Sequence, residues 1–215
     1  LVSGIAASTG YWMWDSTLSE QSVQARLKLE GTDGSSAMSE RNFSVRNGVF
    51  KFYINDASTN NDVYCTAVGN NANSGLTNSR PMADLNALLA KYDLESGTNG
   101  GDIVYIDTGV YKGVDPWRIA QVDSAGSLEK PPVIIQGSTN SSVNGTVLDR
   151  TFNSVGIQMD YAVGILLRNI TVSNTVGSAV VFNDCYGAAA ESVSIGAAND
   201  GFVLYEGSGM RIANS

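Results

Sequence analysis

The sequence predicts an all-β protein, a right-handed parallel β-helix with an N-terminal capping helix, preceded by a few antiparallel strands. Three observations predict it. Short, apolar and β-branched strands recur at a period in the low twenties through the last third of the chain. The composition is rich in glycine (23 residues) and poor in charge (16% Asp, Glu, Lys and Arg), which suits short strands and frequent turns better than long helices. One amphipathic segment stands ahead of the repeat, where a stack of strands needs an end cover.

The repeat comes from self-alignment. Ile157-Gln158-Met159 aligns with Ala179-Val180-Val181 and then with Phe202-Val203-Leu204, at offsets of 22 and 23 residues. Ile170-Thr171-Val172 aligns with Val193-Ser194-Ile195, and Ile165 and Leu167 with Ala188 and Ala190, each at 23. A leucine-rich repeat has a similar length, but its LxxLxLxxN frame is missing. Equivalent residues of stacked parallel strands lie about 4.8 Å apart on one face, so Arg168 is expected over Glu191. Burial is expected for Ile157, Met159, Leu167, Ile170, Val172, Val181, Val193, Ile195, Phe202 and Leu204. Pro131–Gly137 and Thr146–Asp149 read as an earlier, irregular turn, and Lys112–Lys130 as a loop carrying Trp117 and Arg118. Met210 and Ile212 match Ala188 and Ala190 at offset 22, which sets Ser215 at the level of Val193 and leaves that turn incomplete.

Three zones follow. Residues 1–48 hold a short aromatic strand at Tyr11–Asp15, a strand alternating Val23, Ala25, Leu27 and Leu29 with polar residues, a turn at Gly31–Gly34 and a strand through Phe43 and Val45. They resemble the last strands of an immunoglobulin-like or fibronectin-like sandwich, though a whole sandwich needs about seven strands. Residues 49–112 hold the strand Phe50–Ile54, a Gly/Asn-rich loop and a helix expected over about 81–93. That helix would open at Pro81 and present Met82, Leu85, Leu88, Leu89 and Tyr92 on one face. The string FYINDAS…DVYCTAVGNNANSGLTNSRPMADLNALLAKYDL…GDIVYIDTGVY resembles the entry segment of bacterial right-handed β-helix proteins of the pectin-lyase-like type. The resemblance covers about residues 50–112 and implies that strand, loop and helix close one end of a solenoid. Residues 113–215 carry the rungs, incomplete at the C-terminus.

Composition excludes much chemistry. The chain has no histidine, which removes Ser-His-Asp and Cys-His catalysis and histidine-ligated metal sites. Cys65 and Cys185 are the only cysteines. They read as two thiols, with a disulfide as the alternative in an oxidising compartment. A formal net charge of −8 disfavours nucleic acid, and no apolar run is long enough to span a membrane. Leu1 opens without the basic region of a signal peptide, so the chain reads as mature or as a segment of something longer.

The candidate chemistry gathers near the first strand of each rung. Asp160, Asp184 and Glu206 form an expected acidic cluster. The resemblance lends it interest, because pectin-degrading β-helix enzymes place catalytic carboxylates on adjacent rungs. Such acids could divide acid and base roles in glycosidic cleavage or hold calcium; unrelated solvated acids are the plainer reading. The paired Asp-Asp motif of that family is missing, and lysine is absent from the regular rungs. Tyr161, Tyr186, Tyr205, Phe182 and Trp117 form a candidate aromatic platform for sugar rings, against the plainer reading that they staple turns. Asn42, Asn140, Asn144 and Asn169 match the glycosylation pattern, and Asn169 also reads as part of a polar ladder with Ser192 and Asn214. The function expected is an extracellular or cell-surface structural or adhesion module that contacts polysaccharide or the cell envelope and assembles end to end. The alternative is a fragment of a polysaccharide lyase or glycoside hydrolase acting on acidic polysaccharide. No cofactor is expected, calcium excepted.

Overall fold

The computed structural model describes residues 22–40, 43–45, 48–97, 100–113, 115–120, 124–125, 128–140 and 145–215. The chain divides into two compact units, residues 1–47 and 48–215. The aromatic strand expected at 11–15 lies outside the described residues.

In the first unit, β1 (Ser22–Ala25) pairs antiparallel with β4 (Phe43–Val45), and β2 (Lys28–Glu30) pairs antiparallel with β3 (Ser36–Met38). The expected continuous strand through Val23 and Leu29 is broken at Arg26-Leu27. Val23 is buried, whereas Leu27 and Leu29 are exposed. Alternation alone cannot tell one half-buried strand from two that serve different hairpins.

The second unit is nearly all strand, and its three larger sheets are parallel. β5 (Lys51–Ile54) is followed by α1 (Leu85–Leu89), the two-residue β6 (Leu94–Glu95), β7 (Ile103–Ile106), β8 (Gly109–Lys112) and β9 (Trp117–Ala120). The short β10 (Ser124–Ala125) pairs with β6. Then come β11 (Val133–Gly137), β12 (Thr146–Asn153), β13 (Ile157–Asp160), β14 (Ile165–Arg168), β15 (Ile170–Thr175) and β16 (Ser178–Asn183). The last are β17 (Ala189–Glu191), β18 (Ser194–Ile195), β19 (Asp200–Tyr205) and β20 (Arg211–Ala213). Sheet one runs β5-β7-β11-β14-β17-β20, sheet two β8-β12-β15-β18 and sheet three β9-β13-β16-β19. The chain thus visits the three sheets in a fixed cyclic order, and from β7 to β19 each of four circuits adds one strand to each sheet, with β5 before them and β20 after them in sheet one.

Apolar columns run through successive circuits. In sheet one, Phe52, Val104, Ile135, Leu167 and Ala190 stand in register, and all are fully buried. In sheet two the column is Tyr111, Leu148 and Val172, and in sheet three it is Ile119, Met159 and Phe182. These also are buried. No single circuit could bury its own inward face, so each depends on its neighbours. The tight corner between sheets one and two is turned by Asn169, Ser192 and Asn214, at φ of 55°, 52° and 53°. Asn169 and Ser192 donate their N–H groups to the next circuit, at Glu191 and Ala213. Asn and Ser suit a left-handed residue better than bulkier types do.

Several expectations need correction. Ile157 pairs with Val180, and Val180 with Phe202, so the offsets in sheet three are 23 and then 22, the reverse of the alignment. The run Ala179-Val180-Val181-Phe182 is apolar throughout, so alternation does not choose its register; filling the interior with Phe182 does. Leu204 is 45% exposed, and Phe202 and Ile195 are only half-buried, because no described strand lies beyond theirs. The stretch 112–130 is not one loop, for it contributes β9 to sheet three. The helix occupies only Leu85–Leu89, capped by the Asp84 carboxylate on the Ala87 N–H. It cannot start at Pro81, because Met82 donates its N–H to the carbonyl of Tyr53 and accepts from Asn55. Its five expected apolar residues are nonetheless all buried.

Candidate functional site

Sheet three leads into sheet one through a wider corner, and most of the candidate residues stand there. Asp160, Asn183 and Tyr205 are in register. The next residues, Tyr161, Asp184 and Glu206, all adopt left-handed backbone, at φ of 58°, 49° and 50°. Two residues on, Val163, Tyr186 and Ser208 pair through isolated bridges. Tyrosine and glutamate in this conformation each cost on the order of 1 kcal/mol. The strain is held by the ladder, since the Tyr161 N–H donates to the Asn183 carbonyl and the Asp184 N–H to the Tyr205 carbonyl.

The three tyrosines expected as a platform are exposed, Tyr161 by 55%, Tyr186 by 43% and Tyr205 by 58%. They lie on three successive circuits of this one corner. Trp117 does not join them. It is 2% exposed and packs edge-on against Tyr111 with ring centroids 5.9 Å apart. It heads the inward column of Ile157 and Val180, where its large apolar ring fills the first circuit. Phe182 is likewise fully buried.

The acids are distributed differently from expectation. Asp184 and Glu206 occupy equivalent turn positions on adjacent circuits. Asp160 stands one column earlier, where its carboxylate accepts from the side-chain amides of Gln158 (3.0 and 3.1 Å) and Asn183 (3.2 Å). Among the described residues, no group of three or more Asp, Glu, Cys or His side chains is placed to hold a metal ion. Arg168 does lie over Glu191: the two are in register, and the guanidinium approaches the carboxylate at 2.7 and 3.1 Å. Arg211 reaches the other oxygen of Glu191. Both cysteines are free and buried, which removes the disulfide alternative. Burial pushes both thiols above their ordinary range, and the nearby Asp107 adds to this at Cys65.

A second feature lies on the outer face of sheet two. Two adjoining recesses, of about 230 and 770 Å³, share Gly145 and Val147. Their floor is the outward column Val110, Val147, Thr171 and Ser194, in register over four strands. The loop bearing Ser58 and Asn61 borders one recess, and Ser138 and Asn140 border the other. The Asn140 side chain links the two loops by donating to the Asn61 carbonyl at 3.1 Å. Sequence reasoning missed this trough, although a signal for it was present. The alignment of Thr171 with Ser194 already put hydroxyls at equivalent outward positions. The loops that wall it come from distant parts of the chain.

No family model, curated protein or solved structure matches the chain.

Proposed function

We propose that this chain is an extracellular structural or adhesion module built on a right-handed parallel β-helix, which stacks end to end and contacts polysaccharide through the corner of Tyr161, Tyr186 and Tyr205. The cyclic order of the three parallel sheets supports the β-helix, and crossovers between parallel strands are right-handed in nearly all proteins. One observation carries the structural reading. Apolar columns run in register through successive circuits and are buried, so each circuit is held by its neighbours, and a second copy can add circuits as the chain itself does. A contact between unlike ends need not close, so repeated stacking would give a filament. The tyrosines would supply flat apolar faces for sugar rings at one corner.

Light scattering after size-exclusion chromatography tests the stacking. The expected result is a mass that rises with concentration and returns to the monomer in Leu204→Lys/Ile212→Lys. A monomer at high concentration in the parent chain would overturn it. The second reading, cleavage of acidic polysaccharide, draws on Asp184 and Glu206 at equivalent strained positions about one strand spacing apart. Incubation with pectate and alginate, with and without calcium, is expected to release no unsaturated or reducing ends. Release that disappears in Asp184→Ala and Glu206→Ala would replace the structural reading with the enzymatic one.

A further inference from the structure

We propose that the trough on the outer face of sheet two binds an uncharged, unbranched polysaccharide lying along the stack, across the strands. This adds a second glycan surface to the tyrosine corner and does not depend on the stacking of copies, so each can fail alone.

The lining determines the ligand class. Ser58, Ser138, Thr171, Ser173 and Ser194 offer hydroxyls, and Asn60 and Asn140 offer carboxamides. Each of these groups both donates and accepts, as a sugar hydroxyl does. Among the described residues, Asp56 is the one charged residue that lines the two recesses, and neither has a lysine or arginine in its lining. An anionic polymer would therefore lose its hydration and meet a carboxylate with no compensating cation, on a chain of net charge −8. An apolar ligand would strand the hydroxyls without partners. An extended peptide is the weaker candidate, because the backbone of sheet two already pairs with strands on both sides at β12 and β15. Its main chain would find no free edge on this face.

The floor sets the geometry. Val110, Val147, Thr171 and Ser194 repeat at the strand spacing, about 4.8 Å, which is comparable to the length of one pyranose ring in an extended chain. Two valines meet the apolar face of a ring at one end, and two hydroxyls meet its polar edge at the other. Val110 is 48% exposed and is open to such a contact. A polymer running along the stack would thus meet a similar step at each strand.

Affinity electrophoresis of the full chain tests this, in native gels containing soluble β-glucan, xylan, amylose or polygalacturonate. Retardation by at least one neutral polymer is expected, and none by polygalacturonate. Thr171→Val/Ser194→Ala should weaken it about thirtyfold, the usual worth of one hydrogen bond at each position. Thr171→Val keeps the β-branched shape, and if the double variant melts early, Ser173→Ala replaces it. Retardation that is lost in Tyr161→Ala/Tyr186→Ala/Tyr205→Ala and kept in Thr171→Val/Ser194→Ala would place the binding at the tyrosine corner and overturn the proposal. The proposal is overturned if no neutral polymer retards the chain, if polygalacturonate alone does, or if the hydroxyl variants bind as the parent does. Capture of a serine- and glycine-rich peptide in place of every neutral polymer would overturn it too.

Discussion

The two outer edges of the described circuits are built from the same columns but differ in what the described residues set against them. At the first end, each sheet edge meets a partner. The outer edge of β5 pairs with a returning segment: Tyr53 donates to the Gly75 carbonyl, Met82 to Tyr53, and Asn55 to Met82. The edge of β9 meets the Asn86 amide of α1, which donates to the Pro116 carbonyl and accepts from the Arg118 N–H, both at 2.9 Å. The edge of β8 meets the Asp56 carboxylate, which accepts from Val110. The cap loop is held in turn by buried Asp107, whose carboxylate accepts from the N–H groups of Val63, Tyr64, Cys65 and Thr108. At the other edge, β18, β19 and β20 are the outer strands of their sheets among the described residues. A parallel sheet can thus be ended without a further strand, provided single side chains take over the backbone hydrogen bonds that a strand would have made.

The largest expected difference lies within one column. Phe182→Ala should cost about 3–5 kcal/mol, because it opens a cavity between covered circuits. Leu204→Ala, one circuit further on, should cost less than about 1 kcal/mol, because its side chain is already partly in water. Denaturant unfolding of the two variants measures this directly. Equal losses would mean that the last circuit is covered in solution.

A smaller effect separates the cap from the stack. Asp107→Asn replaces a carboxylate that accepts four N–H groups by an amide that cannot match all of them. It should cost about 2 kcal/mol and raise amide hydrogen exchange first at Val63, Tyr64 and Cys65. Exchange that rises equally across β13 and β16 would show that cap and stack unfold as one unit.

The smallest effect is a pH dependence at the closed end. Burial raises the Asp62 carboxyl above the usual range; the Asn55 amide opposes this, while Asp107 and Asp56 add to it. One oxygen accepts from Asn55 at 2.6 Å, and the other is buried without a hydrogen-bond partner among the described residues. An acid with a raised folded-state pKa binds its proton more tightly when folded. Its contribution is therefore present below the ordinary carboxylate range and is lost as pH rises through the raised value. Asp62→Asn should remove that loss, leaving the variant slightly more stable than the parent at neutral pH and level with it in acid. A parent advantage that grows with pH would show Asp62 acting as a stabilising anion.

Much of the stack was legible in the sequence. Ile165 to Thr171 and Ala188 to Ser194 repeat without ambiguity, because inward aliphatic residues alternate with Arg168, Glu191, Thr171 and Ser194. That alternation placed Arg168 over Glu191 and set sheets one and two in register. Sheet three was misaligned by one residue where four apolar residues stand in a row. Trp117 was misjudged as part of a surface loop, because the first circuit departs from the period that revealed the others. The exposure of the tyrosine corner followed from its place at the turns. The equivalence of Asp184 and Glu206 did not, since it depends on the sheet-three register.

What the sequence determined by itself was periodic: short strands, their spacing, and a face that must be buried against copies of itself. The tertiary structure alone decided matters that involve residues far apart along the chain. Among these were the shortening of α1 by the claim of β5 on Met82, the burial of Trp117, and the trough bordered by loops drawn from 58–61 and 138–140. Periodicity records what each residue does relative to its own circuit. Closing an end or walling a groove joins residues across circuits, and their partners share no spacing that a single sequence displays.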